Sequence, residues 1–370
     1  VRQQKEKGVG IMQKIQLNLS QHQYSIFIET GLINNTADIV SDLFNTKKII
    51  VITDENVYRF YGETIKTNLS SKDFDVNFII LEPGEETKSI ASLQYIYNKL
   101  LDFSVNRDSL LVALGGGVVG DITGFVAATF LRGIRYIQIP TSVIAQVDSS
   151  IGGKVAVNLE RGKNLIGNFY HPHAVIIDPQ VLLTLDDRFF YDGMAEVIKY
   201  GLIKDSKLFN NLLKYKNKSE IMANMEYIIY TCCNIKKEIV EKDEKDTGLR
   251  MLLNFGHTLG HGIEAYYDYK TYTHGEGVAM GMYSISKIGE KLGLTKDGCS
   301  EKIKEALVQY HLPYKLPVHI NDLLNIINKD KKVMDTGLNF ILIKDLGEGY
   351  IKKVKLTDVA KFLGEDENKI

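Results

Sequence analysis

Along the first half of the chain, apolar residues fall in short β-branched runs that alternate with stretches of helical spacing. "KKIIVITDENV", "FDVNFIILEPGEE", "DSLLVALGGGVVGD", "IRYIQIPTS" and "HAVIIDPQVL" each read as a strand running into a polar or glycine-rich turn. Between them, "SIASLQYIYNKLLDF" and "DITGFVAATFL" carry apolar positions three and four apart. Near-continuous apolar strands alternating with helices predict a mostly parallel sheet covered on both faces. Open sheets of this kind bind ligands beyond the carboxyl ends of their strands.

Past about residue 186 the pattern changes. "FFYDGMAEVIKYGLIKD", "KLFNNLLKYK", "IMANMEYIIYTCCNIKKEIVEKD", "GEGVAMGMYSISKIGEKLGL" and "CSEKIKEALVQY" all show helical periodicity. A strand signal returns only in "LNFILIKDLGEGYIKKVK", which reads as a late hairpin. The expected organisation is an α/β domain over residues 12–185 with a mostly parallel nucleotide-binding sheet, then a mainly α-helical domain over 186–370. Residues 1–11, ahead of Met12, read as a disordered extension, and the tail "GEDENKI" as a frayed end.

A chain of 370 residues exceeds one compact core, in keeping with two domains. Its net charge of −1 gives no global field toward nucleic acid or anionic lipid, and neither is expected as a partner. No apolar run approaches the ~18 residues that a membrane helix needs. The three cysteines are Cys232, Cys233 and Cys299, and the first two are adjacent. That spacing suits neither a disulfide framework nor a zinc knuckle, so a reducing cytoplasm is the expected setting.

Gly115, Gly117 and Gly120 satisfy G-x-G-x-x-G after the strand "SLLVAL" and open a helix. Backbone N–H groups at such a helix start can meet a pyrophosphate. The loop is not on the first strand, however, and no acidic residue follows about 20 residues later, where a dinucleotide fold would hold the ribose. Asp54, ending an earlier strand, is the nearest candidate. The competing reading is a tight strand–helix turn. Glu85 and Lys88 in "EPGEETKS", at the end of another strand, favour the ligand reading.

His257 and His261 lie four apart on one predicted helix face, and His274 follows in "HGEG". Glu196 adds a carboxylate on an apolar helix, where a metal or an ion pair with Lys199 would satisfy it. A zinc-type catalytic site takes about three such ligands and keeps one position open. Spacing alone does not choose among Glu196, His257, His261, His274 and Glu276. Asp148 and Lys154 flank two glycines in "VDSSIGGK", and "ERGKNLIG" adds Lys163 and Asn164. Lys199, Lys236, Arg250 and Asn254 lie in the helical half. Cations near a metal suit an anionic substrate, whereas any one of them alone reads better as solvated surface charge.

Seven stretches in order, "PGEETKS", "LGGGVVGDITGFVAATFLRGI", "IPTSVIAQVDSSIGGKVAVN", "GKNLIGNFYHP", "GMAEVIKYG", "LLNFGHTLGHGIEA" and "HGEGVAMGM", closely resemble the 3-dehydroquinate synthase family. The likeness runs from about residue 13 to 360. It implies one NAD and one divalent metal, zinc first and cobalt as the alternative. By the resemblance, Glu196, His257 and His274 hold the metal, and His261 contacts substrate instead. NAD contacts fall on Asp54, Glu85, Lys88, Gly117, Val118, Asp121, Thr141, Ser142, Lys163 and Thr184. Catalytic roles fall on Lys154, Lys199, Asn254 and His261, and substrate binding on Asp148, Asn164, Lys236, Arg250 and Lys331, with Lys332 the alternative to Lys331. Arg132 matches an arginine that reaches a neighbouring subunit's site, which implies a homodimer. Ser142 departs from the threonine of many relatives but keeps the hydroxyl.

The family reaction converts 3-deoxy-D-arabino-heptulosonate 7-phosphate, a phosphorylated sugar acid, to 3-dehydroquinate and phosphate in the shikimate pathway to aromatic amino acids. It runs through transient oxidation by NAD, phosphate elimination, reduction, ring opening and an intramolecular aldol closure. A sister sugar-phosphate cyclase is disfavoured because Lys236, Arg250, Asn254 and His261 are all kept. A metal-dependent polyol dehydrogenase is disfavoured by "VDSSIGGK" and "GKNLIG", and a non-catalytic scaffold by the intact ligand set.

Overall fold

The computed structural model describes residues 12–330 and 337–364. The extension 1–11, the last residues of the tail and the candidate Lys331 (with Lys332) lie outside the described residues. The chain divides into two compact units. One runs to Leu185 and takes in Met225–Lys237; the other comprises Asp186–Asn224 and the described residues from Glu238 onward.

Eleven strands are present among the described residues: β1 (Gln13–Asn18), β2 (Gln23–Ile28), β3 (Lys48–Asp54), β4 (Asp75–Leu81), β5 (Leu110–Gly115), β6 (Arg135–Pro140), β7 (Lys154–Leu159), β8 (Gly162–Phe169), β9 (Ala174–Ile177), β10 (Leu338–Ile343) and β11 (Gly349–Val354). The first unit is built on a seven-stranded sheet of order β1-β2-β9-β6-β5-β3-β4. All of its pairings are parallel except β1 with β2. Its parallel strands are apolar on both faces because both faces are covered. In β3, Ile49 and Val51 enter one buried cluster, while Ile50 and Ile52 enter another.

The five runs identified as strands in the first half are β3, β4, β5, β6 and β9. Two hairpins escaped that reading. β1–β2 alternates buried and exposed positions along β1, as an antiparallel edge does, instead of forming a continuous apolar run. β7–β8 is a separate two-stranded sheet, and β8 is glycine-containing and buries none of its residues. β10–β11 is the late hairpin in the second unit.

From β3 the chain pairs β4 on one side and β5 on the other. This reversal is the topological switch point, where open α/β sheets form a ligand crevice. Asp54 ends β3 and Gly115 ends β5, so the glycine turn and the acidic candidate both stand at that edge.

In the second unit, helix Asp187–Ile203 buries nearly every residue from Phe190 onward. Helices His257–Tyr266 and His274–Lys291 pack with their backbones almost touching. A Cβ on Gly260 would lie 2.9 Å from the Gly277 carbonyl carbon, and one on Gly281 would lie 2.0 Å from the Gly256 carbonyl oxygen. Only glycine permits that approach.

Candidate metal centre and nucleotide edge

Glu196 sits mid-helix in the second unit with Lys199 one turn on, and both are 0% exposed. Glu196 Oε2 accepts from the Lys199 ammonium. Glu196 Oε1 is buried and accepts no hydrogen bond. It faces the Nε2 atoms of His257 and His274, each 3.5 Å away. One carboxylate oxygen and two imidazole nitrogens thus converge within 4.8 Å of one another. Zinc bonds of about 2.0–2.1 Å in tetrahedral geometry place neighbouring ligand atoms about 3.4 Å apart, close to the 3.5 Å between Glu196 Oε1 and each imidazole, so the donor set fits a divalent cation.

Each imidazole is oriented from behind. The Phe255 carbonyl lies 3.1 Å from His257 Nδ1, and Glu264 Oε1 lies 2.9 Å from His274 Nδ1. Burial and then the Lys199 ammonium push His257 well below its ordinary range. Burial acts the same way on His274, but the Glu196 and Glu264 carboxylates outweigh it and raise the group to about 10. The carboxylates therefore favour positive charge at this point. Glu264, buried and missed by the sequence reading, is a carboxylate behind the candidate ligand His274, an arrangement that fixes ring orientation in metal sites.

A second convergent group joins His261, Glu264 and His274. His261 is exposed, and its ring centroid lies 5.4 Å from that of His257 and 5.8 Å from that of His274. Glu276 belongs to neither group. It closes a capping box with Thr273 and holds Arg188 through two bonds of 2.9 Å. Asp192 Oδ1 accepts from the Glu276 amide at 3.1 Å, so the helix that carries Glu196 also fixes the start of the helix that carries His274. Arg250 is buried, with Nη1 donating to the Glu244 carbonyl at 2.6 Å, while Asn254 is exposed just before His257.

In the first unit, Lys88 is the hub of a charged cluster that contains several of the candidate nucleotide contacts. It is buried, and its ammonium reaches Asp121 and Asn164 at 2.6 Å each and Glu85 at 4.0 Å. Asn158, also missed from sequence, donates to Glu85 at 2.7 Å and accepts the Asn164 amide at 2.8 Å. Asn164 adopts φ 57, an orientation held by these bonds. Burial raises Asp121, with Lys88 opposing. Lys163 lies beside Asn164 on β8.

Gly117 opens the helix Gly117–Thr129, which places Val118 in its first turn and Asp121 in its second. The Thr141 amide donates to the Gly115 carbonyl at 3.0 Å, tying the end of β6 to the glycine turn. Ser142 Oγ accepts the Ala145 amide and leads into a π-helical turn, Ala145–Ser149. Asp148 on that turn binds the Lys236 ammonium through its carboxylate, and its carbonyl does so at 2.8 Å. Asp54 caps the helix Glu55–Ser70, and burial raises its carboxyl. On that helix the Tyr61 hydroxyl lies 2.7 Å from Thr184. Lys154 is the exposed first residue of β7. Arg132 stands apart: it precedes β6, at the amino edge of the strands, and is exposed with φ 66.

Family models described as 3-dehydroquinate synthase N-terminal and 3-dehydroquinate synthase C-terminal match residues 78–192 and 193–333. The 3-dehydroquinate synthase of Clostridium beijerinckii is 56% identical over 346 residues, covering 93% of this chain and 99% of the relative. That of Clostridium botulinum is 53% identical with the same coverage. The solved 2-epi-5-epi-valiolone synthase of Streptomyces hygroscopicus, with NAD+ and Zn2+ bound, is 25% identical at a TM-score of 0.84, covering 95% of this chain and 99% of its own. On the family models and on this near-full-length identity, the chain belongs to the 3-dehydroquinate synthase family.

Proposed function

We propose that this protein converts 3-deoxy-D-arabino-heptulosonate 7-phosphate to 3-dehydroquinate and phosphate, with NAD and one divalent metal, zinc or cobalt. The observation that carries this is the 56% identity to a 3-dehydroquinate synthase over nearly both full lengths. The first unit is the NAD-binding part, and the second holds the metal and part of the substrate site.

Glu196, His257 and His274 would hold the metal, supported by the convergence of their three donor atoms. When bound, NAD accepts and returns a hydride, and the metal acts as a Lewis acid toward a substrate oxygen. Lys199 neutralises Glu196 Oε2 and leaves Oε1 directed at the two histidines. Arg250, with its planar guanidinium, suits the carboxylate or phosphate of the substrate, and Lys154 and Lys236 add cations for the same anions. Asp148, Asn164 and Asn254 orient hydroxyl groups by hydrogen bonds. His261 moves a proton at a substrate oxygen through an imidazole nitrogen. Asp54, Glu85, Lys88, Gly117, Val118, Asp121, Thr141, Ser142, Lys163 and Thr184 bind NAD; nine of these ten stand at or just beyond the carboxyl ends of parallel strands, and Lys163 joins them from β8.

The protein acts in the cytoplasm as a homodimer, with Arg132 reaching the neighbouring subunit's site. The exposed Arg132 supports this, as do three cysteines that form no disulfide. No helix among the described residues is long and apolar enough to cross a membrane. Light scattering of purified protein tests the dimer.

The activity test is incubation with the heptulosonate phosphate, NAD and zinc, following phosphate and dehydroquinate together. Equal amounts of both, lost on chelation and without net NADH, are expected. Steady NADH formation from a polyol, or no phosphate release, would overturn the assignment.

A further inference from the structure

Three of the eight histidines, His22, His171 and His173, gather in the first unit, and none of them has been given a role above. His22 lies in the β1–β2 turn, and His171 and His173 follow β8. The His22 and His171 rings stack with centroids 5.9 Å apart, and Tyr24 of β2 lies 5.9 Å from His171. His22 Nε2 donates to the Pro172 carbonyl at 2.9 Å, fastening the hairpin turn to the segment that carries His171.

This aromatic wall stands against the turn Gly152–Gly153, whose φ values of 95 and 69 lie in the left-handed region. The buried His171 ring lies flush on Gly153: an added Cβ there would sit 2.7 Å from Nδ1, 2.8 Å from Cε1 and 2.9 Å from Cγ. The Gly152 amide donates to the Tyr24 hydroxyl at 3.3 Å, and the Tyr170 amide donates to the Gly153 carbonyl at 2.8 Å. Tyr170 is itself fixed to β6, because its carbonyl accepts from the Tyr136 hydroxyl at 2.9 Å and its hydroxyl donates to the Ile134 carbonyl at 2.8 Å. The next residue after this turn is Lys154, paired with Phe169 at the start of the hairpin.

Two consecutive glycines have many accessible conformations, and a lysine that follows them gains a fixed origin only if something else holds the turn. We propose that His171, braced by Tyr24 and His22, is a positioning residue for Lys154, and that the N-terminal hairpin serves to supply this brace. The inference rests on the reading that Lys154 engages the substrate.

A double-mutant cycle on the full chain, with NAD and zinc present and phosphate release as the signal, tests it. His171→Ala is expected to lower kcat/KM for the heptulosonate phosphate about tenfold, with the NAD dissociation constant unchanged. His171→Phe, which keeps a flat ring on Gly153, should recover most of the loss, and Tyr24→Phe should cost about threefold. In a Lys154→Ala background, His171→Ala should change kcat/KM less than twofold. Multiplicative losses in the double variant, or a parallel loss of NAD affinity, would show a merely structural role and overturn the proposal. If His171→Ala does not fold, Tyr24→Phe in both backgrounds carries the same comparison. An active wild type whose Lys154→Ala variant is unimpaired overturns the role of Lys154 and this inference with it. A wild type that releases no phosphate overturns the functional assignment beneath both.

Discussion

The two charged clusters solve different problems with different scaffolds. In the second unit, Glu196, Lys199 and Glu264 are buried on or beside helices whose spacing is set by glycine-to-backbone contact. In the first, Lys88 is buried, but its partners Glu85 and Asp121 keep 39% and 21% of their side chains exposed, and all of them stand on strand ends, short turns or a helix start. A small cation requires a few donors held rigidly, which helices supply. A large, many-point ligand is met by loops fanned along a sheet edge. The metal cluster should therefore respond steeply to one change, and the nucleotide edge more gradually.

Glu196→Gln tests the steep side. It removes the donor oxygen's charge and leaves Lys199 without its carboxylate in a fully buried place, where breaking a pair costs about 3–5 kcal/mol. A large fall in melting temperature and near-complete loss of bound metal by elemental analysis are expected, with NAD affinity within twofold of wild type. Retention of a full metal complement would break the comparison. Glu264→Gln keeps the shape and weakens the hold on His274 Nδ1. Metal affinity should fall by about 10- to 100-fold in chelator competition, the usual range for a residue behind a ligand.

On the gradual side, Lys88→Met should weaken NAD binding about tenfold, roughly 1.4 kcal/mol, without altering metal content. Calorimetric titration measures both, and an equal loss of metal would erase the distinction between the clusters. The smallest effect is expected at His173. Burial, then His22 and Arg135, lower this group to about 4 in the folded protein. The unfolded chain takes up its proton first, near the ordinary value of about 6.5. The stability this histidine contributes above pH 6.5 is therefore lost as pH falls from about 6.5 toward 4. Urea unfolding at pH 7 and pH 5 should show a smaller acid loss for His173→Phe than for wild type.

The β-branched runs that became β3, β4, β5, β6 and β9 were legible because a parallel strand buried on both faces leaves an unbroken apolar signature. The glycine turn was legible as a strand-to-helix turn because glycines between an apolar run and a helical pattern mark one, while the motif alone left open whether it meets a ligand. The two missed hairpins lack such a signature: β1 alternates, and β8 buries nothing. Both contribute to function in this reading, since β8 carries Lys163 and Asn164 and β2 carries Tyr24. Asn158 and Glu264 were missed for another reason. One asparagine in a strand and one glutamate in a helix are ordinary in sequence and acquire meaning only from Glu85 and from His274.

What the sequence determined by itself is the run of parallel strands β3, β4, β5, β6 and β9, the strand ends at which the glycine turn and Asp54 stand, and the family, because periodicity and long motifs are local along the chain. Spacing along the chain could not choose among Glu196, His257, His261, His274 and Glu276; within the sequence only the family resemblance singled out Glu196, His257 and His274. His257 and His261 share a helix face, and only tertiary packing decides which nitrogen meets Glu196 Oε1. Gly260 against Gly277 sets the approach of the two helices, Arg188 takes up Glu276, and Lys199 occupies Glu196 Oε2. Convergence of donor atoms is a property of positions in space, and residues 61 and 78 places apart in the chain, Glu196 with His257 and His274, reach it only through the packed helices.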